Sequence, residues 1–186
     1  MEVVANLHSL LEVIGRKDIS MAVTGKIDRK YMAHYIDAGS LCGGLTPKCE
    51  RLGKDLEEYN VELNPDTETS KNILGESTFK HNGYEVSSDA DPFYADTTSD
   101  LFTALQKIVD GRLKDDNLKT KAVEVHLWTE ATAGKYEAYQ QDCYVVPTSY
   151  GGDTSGYQIP FTVNYTGERV KGKFDISSGT FTADSE

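Results

Sequence analysis

Apolar and polar positions fall into three regimes along this chain of 186 residues. Before about residue 40 the pattern admits two readings. Val3-Val4-Ala5-Asn6-Leu7-His8 and Ser20 to Gly25 read as strands, yet Leu7, Leu10, Leu11 and Ile14 also fit helical spacing. Residues 28 to 40, around Tyr31-Met32-Ala33-His34-Tyr35-Ile36, share that ambiguity. From about Gly39 to Lys71, Gly43-Gly44, Pro47, Gly53, Asn60 and Pro65 break any periodicity. A compact domain rarely carries so long an irregular segment unless it is functional or locally structured. Within it, Glu57 to Leu63 reads as one arm of an extended hairpin. The segment over roughly 40–71 is therefore expected to project as a loop or hairpin that orders against a neighbouring subunit, with a flexible loop as the alternative.

The second half is regular. Thr98 to Asp110 predicts a helix, because Leu101, Leu105, Ile108 and Val109 make one apolar stripe. Thr98 or Ser99 can cap its start, Asp100 suits the positive dipole end, and Gly111 stands where a left-handed closing residue is often needed. One stripe means one buried face, so the helix is expected to lie on a sheet. Lys121 to Trp128 then predicts a strand with Val123, Val125 and Leu127 on one side and Glu124, His126 and Trp128 on the other. Tyr136 to Val146 predicts a second strand. Tyr157, Ile159, Phe161, Val163 and Tyr165 alternate, as do Val170, Gly172, Phe174 and Ile176, so a hairpin turning at Thr166-Gly167-Glu168 is expected. Thr180-Phe181-Thr182 predicts a last short strand.

These elements predict a mainly β fold of α+β flavour: an antiparallel β-sandwich or barrel with one flanking helix. No internal repeat or interdomain linker interrupts it, so residues 1–186 read as a single domain. The composition agrees, with 38% hydrophobic and 26% charged residues. No apolar run approaches the roughly 20 residues of a membrane span. The early apolar cluster Leu10 to Ile14 is short, and no basic region precedes it, so the start does not read as a signal peptide. Folding in a cytoplasm is expected.

Charge and chemistry narrow the function classes. A formal net charge of −11 opposes tight nucleic-acid binding, which needs Lys and Arg against phosphates. Cys42 and Cys49, with six residues between them, and His34 and His81 as completers, make a poor zinc set. With Cys143 they read as ordinary reduced thiols. Asp89-Ala90-Asp91 with Asp96 has a cation-binding flavour but lacks the Gly and terminal Glu of an EF-hand loop. Tyr150-Gly151-Gly152-Asp153-Thr154-Ser155-Gly156 lacks the Lys and following helix of a phosphate loop, and reads as an interstrand loop. His8, His34, His81 and His126 stand singly. No cofactor, metal or enzymatic activity is expected.

A resemblance adds to this reading. Asn72 to His81, Asp89-Ala90-Asp91-Pro92-Phe93-Tyr94-Ala95, Arg112 to Asp116, Lys119-Thr120-Lys121, Val146 to Thr154, Ile159-Pro160-Phe161 and Gly179 to Ala183 occur in an order similar to the major tail tube proteins of long-tailed, siphovirus-type bacteriophages, especially those of Gram-positive hosts. The likeness spans roughly residues 72 to 184 and rests on order and combined wording. It implies six-membered rings that stack into a tube, with inner sheets joined into one barrel around a lumen. It also implies self-association, tape measure, tail terminator and distal tail proteins as partners, no membrane, and a place in the virion tail after assembly in the host cytoplasm. An acidic lumen would repel phosphates and let DNA pass without specific binding. Glu124, Glu137, Asp142 and Glu168 are the lumen-facing candidates. Lys48, Arg51, Lys54, Glu57 and Tyr59, in the irregular segment, are the inter-ring candidates. Two other readings stand beside it. One is an inner tube of a contractile injection or type VI secretion-like system. The other is a monomeric β-sandwich that binds carbohydrate on Tyr139, Tyr144 or Trp128.

Overall fold

A computed structural model describes residues 25–54, 56–132 and 134–184. The expected elements at Val3 to His8, Leu7 to Ile14 and Ser20 onward, and His8 itself, lie outside the described residues. Strands β1 (Met32–Asp37), β2 (Cys49–Leu52), β3 (Pro65–Lys71), β4 (Ser77–Tyr84) and β5 (Ser87–Ala90) precede helix α1 (Asp100–Gly111). After it come β6 (Lys119–Thr132), β7 (Lys135–Pro147), β8 (Gly151–Asp153), β9 (Gly156–Gln158), β10 (Phe161–Asp175) and β11 (Thr180–Ala183). The fold is mainly β and antiparallel with one flanking helix, as the sequence pattern predicts.

One antiparallel sheet runs in the order β11-β10-β7-β6-β1-β2. β5 pairs the start of β10, from Phe161 to Asn164, while β11 pairs its end, from Gly172 to Asp175. Two small hairpins stand apart, β3–β4 and β8–β9. Successive side chains of a strand point to opposite faces. Near the helix, Ile36, Ala122, Cys143, Val145, Phe161 and Val163 pack with Leu101, Leu105, Ile108 and Val109. Further along the same strands the opposite face is buried, through Ala33, Tyr35, Val123, Val125, Tyr136, Ala138 and Phe174. The sheet curls to do this. Tyr35 and Phe174 meet with ring centroids 4.6 Å apart, although β6 and β7 separate their strands in the sheet. The sheet is thus a half-barrel with one core under the helix and a second inside its own curl.

That swap of faces corrects one expectation. Residues 157–176 do not form a hairpin. β10 is one strand that pairs β7 from Phe161–Pro147 to Asp175–Lys135, with a register shift between Thr166 and Val170. Gly167, at φ +67°, lies in this bulge. Phe161 and Val163 face the helix, whereas Phe174 faces the curl, so the switch from odd to even apolar positions marks a change of core. Tyr157 belongs instead to β9, and the Gly-rich stretch forms the small β8–β9 hairpin.

The helix follows its sequence signals except at its end. The Ser99 hydroxyl accepts from the Phe102 N–H at 3.0 Å. The Glu50 carboxylate accepts from the Ser99 hydroxyl and, at 2.9 Å, from the Leu101 N–H, which places an anion at the helix start. Arg112, at φ +48°, is the left-handed closing residue, not Gly111. A Cβ on Gly111 would sit 2.9 Å from Leu113 Cδ2, so glycine there leaves room for Leu113 to fold back.

Candidate functional site

The irregular segment resolves into two parts. Its first part joins the body. Cys49–Leu52 pairs β1, and Glu57 to Leu63 is not a hairpin arm, because Tyr59 is buried and Glu62 bridges to Ser87. The projecting hairpin is β3–β4, whose register runs from Pro65–Tyr84 to Lys71–Ser77. Every residue from 62 to 82 is exposed. Its root is anchored, since the Asn64 side-chain amide donates to the Glu85 carbonyl and to Ser87 Oγ, both at 3.0 Å. Through the Glu62–Ser87 bridge the arm continues β5 off the edge of the sheet.

The tip is built rather than loose. Asn72 Oδ1 accepts from the backbone N–H groups of Leu74 and Glu76, each at 3.0 Å, and Asn72 Nδ2 donates to Glu76 Oε2 at 2.6 Å. Gly75 turns the chain at φ +82°. These bonds close the loop and push Ile73 and Leu74 outward: Ile73 is fully exposed and Leu74 is 77% exposed. Phe79, halfway along β4, is exposed as well. An isolated two-stranded hairpin is at best marginally stable in water. A hairpin with apolar groups at its tip and flank calls for a surface to cover them.

At the root of the arm lies a cleft of about 400 Å³ lined by His34, Tyr59, Leu63, Tyr84, Tyr139 and Arg169, among others. His34 comes from β1 and is 7% exposed. Its ring packs at 4.9 Å on Tyr59. Burial pushes the His34 imidazole down to about 4, with the Arg29 guanidinium adding to the effect. The Tyr59 hydroxyl bonds Ser88 Oγ at 2.6 Å, and the Tyr165 hydroxyl lies 3.4 Å from both. Burial raises the pKa of both phenols, so they stay protonated.

Beside the cleft, Glu124, His126, Glu137, Tyr139, Arg169 and Lys171 form one network on the outer face of the curl. Arg169 Nη2 lies 2.5 Å and His126 Nε2 2.8 Å from Glu124 Oε1. The Tyr139 hydroxyl donates to Glu137 Oε1 at 2.8 Å and holds that carboxyl below the usual range, with Lys171 adding to it. Arg169 lies over the Tyr139 ring at 4.3 Å, and Trp128 stacks on His126 at 4.3 Å.

The lumen-facing candidates do not share a surface. Glu124 and Glu137 share one face, each beside a cation. Asp142 lies on the opposite face of β7, 3.4 Å from Lys119 Nζ, and Glu168 sits exposed in the β10 bulge. The inter-ring candidates scatter too. Lys48 pairs Asp100, the first residue of the helix, and Lys54 pairs Asp96 at 2.5 Å on the segment that leads into it. The Lys54 ammonium, with Thr98, holds the Asp96 carboxyl well below its ordinary range. Arg51 and Glu57 are exposed, and Tyr59 is turned into the protein. The three aromatic residues weighed for carbohydrate do not form one platform. Tyr139 lies between Arg169 and His126, Trp128 has one face on His126, and Tyr144 points to the other side of β7.

The cysteines are free thiols, with Cys42 donating to the Ala104 carbonyl at 3.6 Å. Burial pushes Cys49 up to about 11 and Cys143 up to about 12. His34 lines the cleft and His81 packs on Tyr84 in the arm, so the four residues weighed for zinc do not converge. Asp89 accepts from the Thr162 hydroxyl at 2.6 Å across the β5–β10 pairing. The residues that sequence reasoning missed are Ile73, Leu74, Phe79, Tyr84 and Arg169. The signal for the tip was present: an apolar pair between the turn formers Asn72 and Gly75, within a polar stretch.

No family model matches the chain, and no curated protein matches it. Among solved structures, the chain is similar to the tube-terminating cap of an anti-feeding prophage, with 12% identity over 78% of this chain and 89% of that one and a TM-score of 0.42. It is also similar to a chain of the sheath–tube complex of an extracellular contractile injection system, PVC, in the extended state, with 11% identity over 83% and 97% and a TM-score of 0.44.

Proposed function

We propose that this protein is a structural subunit whose copies assemble into the tube of a phage-type tail. The observation that carries this reading is the β3–β4 arm, exposed along its length, anchored at its root and tipped by an outward-facing Ile73–Leu74 pair. An arm that buries nothing in its own subunit serves contact with another. The sheet adds a second kind of contact. It ends on one flank in the four-residue strand β2 and on the other in β5 and β11, and unpaired edges invite further strands. Joining unlike edges head to tail gives rings if the rotation closes. The resemblance of residues 72 to 184 to siphophage tail tube proteins supplies the six-membered ring and the stacked tube.

On this reading the chain acts without catalysis. Its partners are other copies of itself and the tape measure, terminator and distal tail proteins, and its place is the virion tail after assembly in the host cytoplasm. DNA passes through the channel without specific binding, favoured by the net charge of −11. Asp142 lies on the sheet face opposite the helix and remains a channel candidate, although it too is paired, with Lys119. Glu124, Glu137 and Asp142, each beside a cation, contribute less field than their number suggests. A contractile machine's inner tube would use the same contacts and differ by a surrounding sheath. Negative-stain electron microscopy of concentrated protein, with size exclusion alongside, tests the reading. Rings or tubes with a central channel are expected; a strict monomer that binds saccharides would contradict it.

A further inference from the structure

We propose that Asn82, in a bulge near the root of the arm, is a site of spontaneous deamidation through a cyclic imide formed with Gly83. Asn82-Gly83 is the one Asn-Gly pair in the chain. Ring closure needs a side-chain amide that is free to turn and a following backbone nitrogen that no side chain crowds. It also needs local freedom of the main chain, which glycine and a bulge both supply. In the β3–β4 register Asp66 pairs Gly83 and Thr67 pairs His81, so Asn82 is the extra residue of the bulge. Its side chain is exposed, and among the described residues nothing bonds its amide. The side-chain amides of Asn60, Asn64, Asn72 and Asn117, by contrast, each donate to an acceptor. Gly83, at φ +149°, has open space where a Cβ would stand. The pairing of Gly83 with Asp66 must open for the attack, and an exposed two-stranded hairpin opens at little cost.

In the first step the Gly83 amide nitrogen gives its proton to hydroxide and attacks Cγ of Asn82. The N–Cγ bond forms, the Cγ–Nδ2 bond breaks, and Nδ2 takes a proton from solvent and leaves as ammonia. Water then opens the imide at either carbonyl, giving aspartate or isoaspartate at position 82. Water is the co-reactant, and no other residue is required. Both products add a negative charge to an arm that already carries Asp66, Glu68 and Glu76. Isoaspartate also routes the main chain through the former side-chain methylene, which lengthens the bulge and re-aims the arm beyond it. Neither core includes an arm residue, so the body keeps its fold. The chemistry is independent of the assembly reading.

The test incubates the full-length protein at mildly alkaline pH and digests it with trypsin. Cleavage after Lys80 and Lys107 leaves Asn82 as the only Asn in its peptide. Mass spectrometry is expected to show amide-to-acid conversion there roughly tenfold or more faster than at Asn72 or Asn164, whose following residues, Ile73 and Tyr165, crowd the attacking nitrogen. The rate is expected to rise with pH, and an isoaspartyl methyltransferase is expected to label the product. Asn82→Gln, which would have to close a larger ring, is expected to lose both signals. A synthetic peptide of residues 78–86 reports the same chemistry without the fold. Conversion of that peptide with none in the protein would overturn the proposal, as would conversion in the protein no faster at Asn82 than at Asn164. Signals that persist in Asn82→Gln would overturn it as well.

Discussion

The curled sheet and the β3–β4 arm are both antiparallel β structure, yet they keep their shape by opposite means. Along β6, β7 and β10 each strand buries one face under the helix and, further along, the other face inside the curl. Along β3 and β4 neither face is buried. The body holds itself by burying side chains at about 1.5–3 kcal/mol for each large one. The arm relies on ladder hydrogen bonds, an anchored root and a closed tip. The difference separates folding from assembly: changes in the body should alter stability, and changes in the arm should alter association while leaving the monomer intact.

The largest effect should come from the body. Phe174→Ala empties the middle of the second core and Leu105→Ala the centre of the first, each fully buried. Either is expected to cost about 3–5 kcal/mol in denaturant unfolding of the monomer. Phe79→Ala in the arm is expected to change the same measurement by less than about 0.5 kcal/mol. An arm substitution that destabilised the monomer as much as a core one would end the comparison.

Next comes His34, where body and arm root meet. Its folded pKa, about 4, lies below the ordinary His value of 6.5. The unfolded chain therefore binds more protons in that window, so stability is full above about pH 6.5 and declines as pH falls toward 4. The shift corresponds to about 3 kcal/mol. Unfolding measured across this window should show the decline in the wild type, and His34→Phe should remove it. An unchanged decline in that variant would assign it to other groups.

A smaller change sharpens the helix side. Ser99→Ala removes the acceptor of the Phe102 N–H and a donor to Glu50, and should cost about 1 kcal/mol. Thermal unfolding would register it, with no effect on assembly expected. A loss of assembly in this variant would tie the helix start to an interface.

How much was legible in the sequence follows the same division. The helix stripe at Leu101, Leu105, Ile108 and Val109 and the alternation of Val123 and Val125 were plain, because one buried face writes a clear period. β10 was misread because its apolar positions change from Phe161 and Val163 to Gly172 and Phe174 across a glycine. A strand that changes cores looks like a chain reversal. The arm was caught only in part: the expected projecting segment of roughly 40–71 takes in β3 but not β4, since hairpin residues that bury nothing leave no hydrophobic period. The cleft was illegible: His34, Tyr59, Tyr84 and Arg169 lie far apart in sequence and meet only through the sheet's curl. Glu124 and Glu137 were read as bare acids because their cations, Arg169 and Lys171, come from β10, two strands from Glu124 in the sheet.

The central claim is that the exposed arm exists for assembly, and one paired measurement tests it most directly. Wild-type protein and an Ile73→Ser/Leu74→Ser variant would be concentrated side by side, then compared by sedimentation velocity and negative-stain electron microscopy, with unfolding curves confirming equal stability. The expected result is rings or tubes for the wild type and no long tubes for the variant, at matched stability. Tubes of equal length from both proteins would contradict the account and send the search for the stacking contact back to the sheet edges.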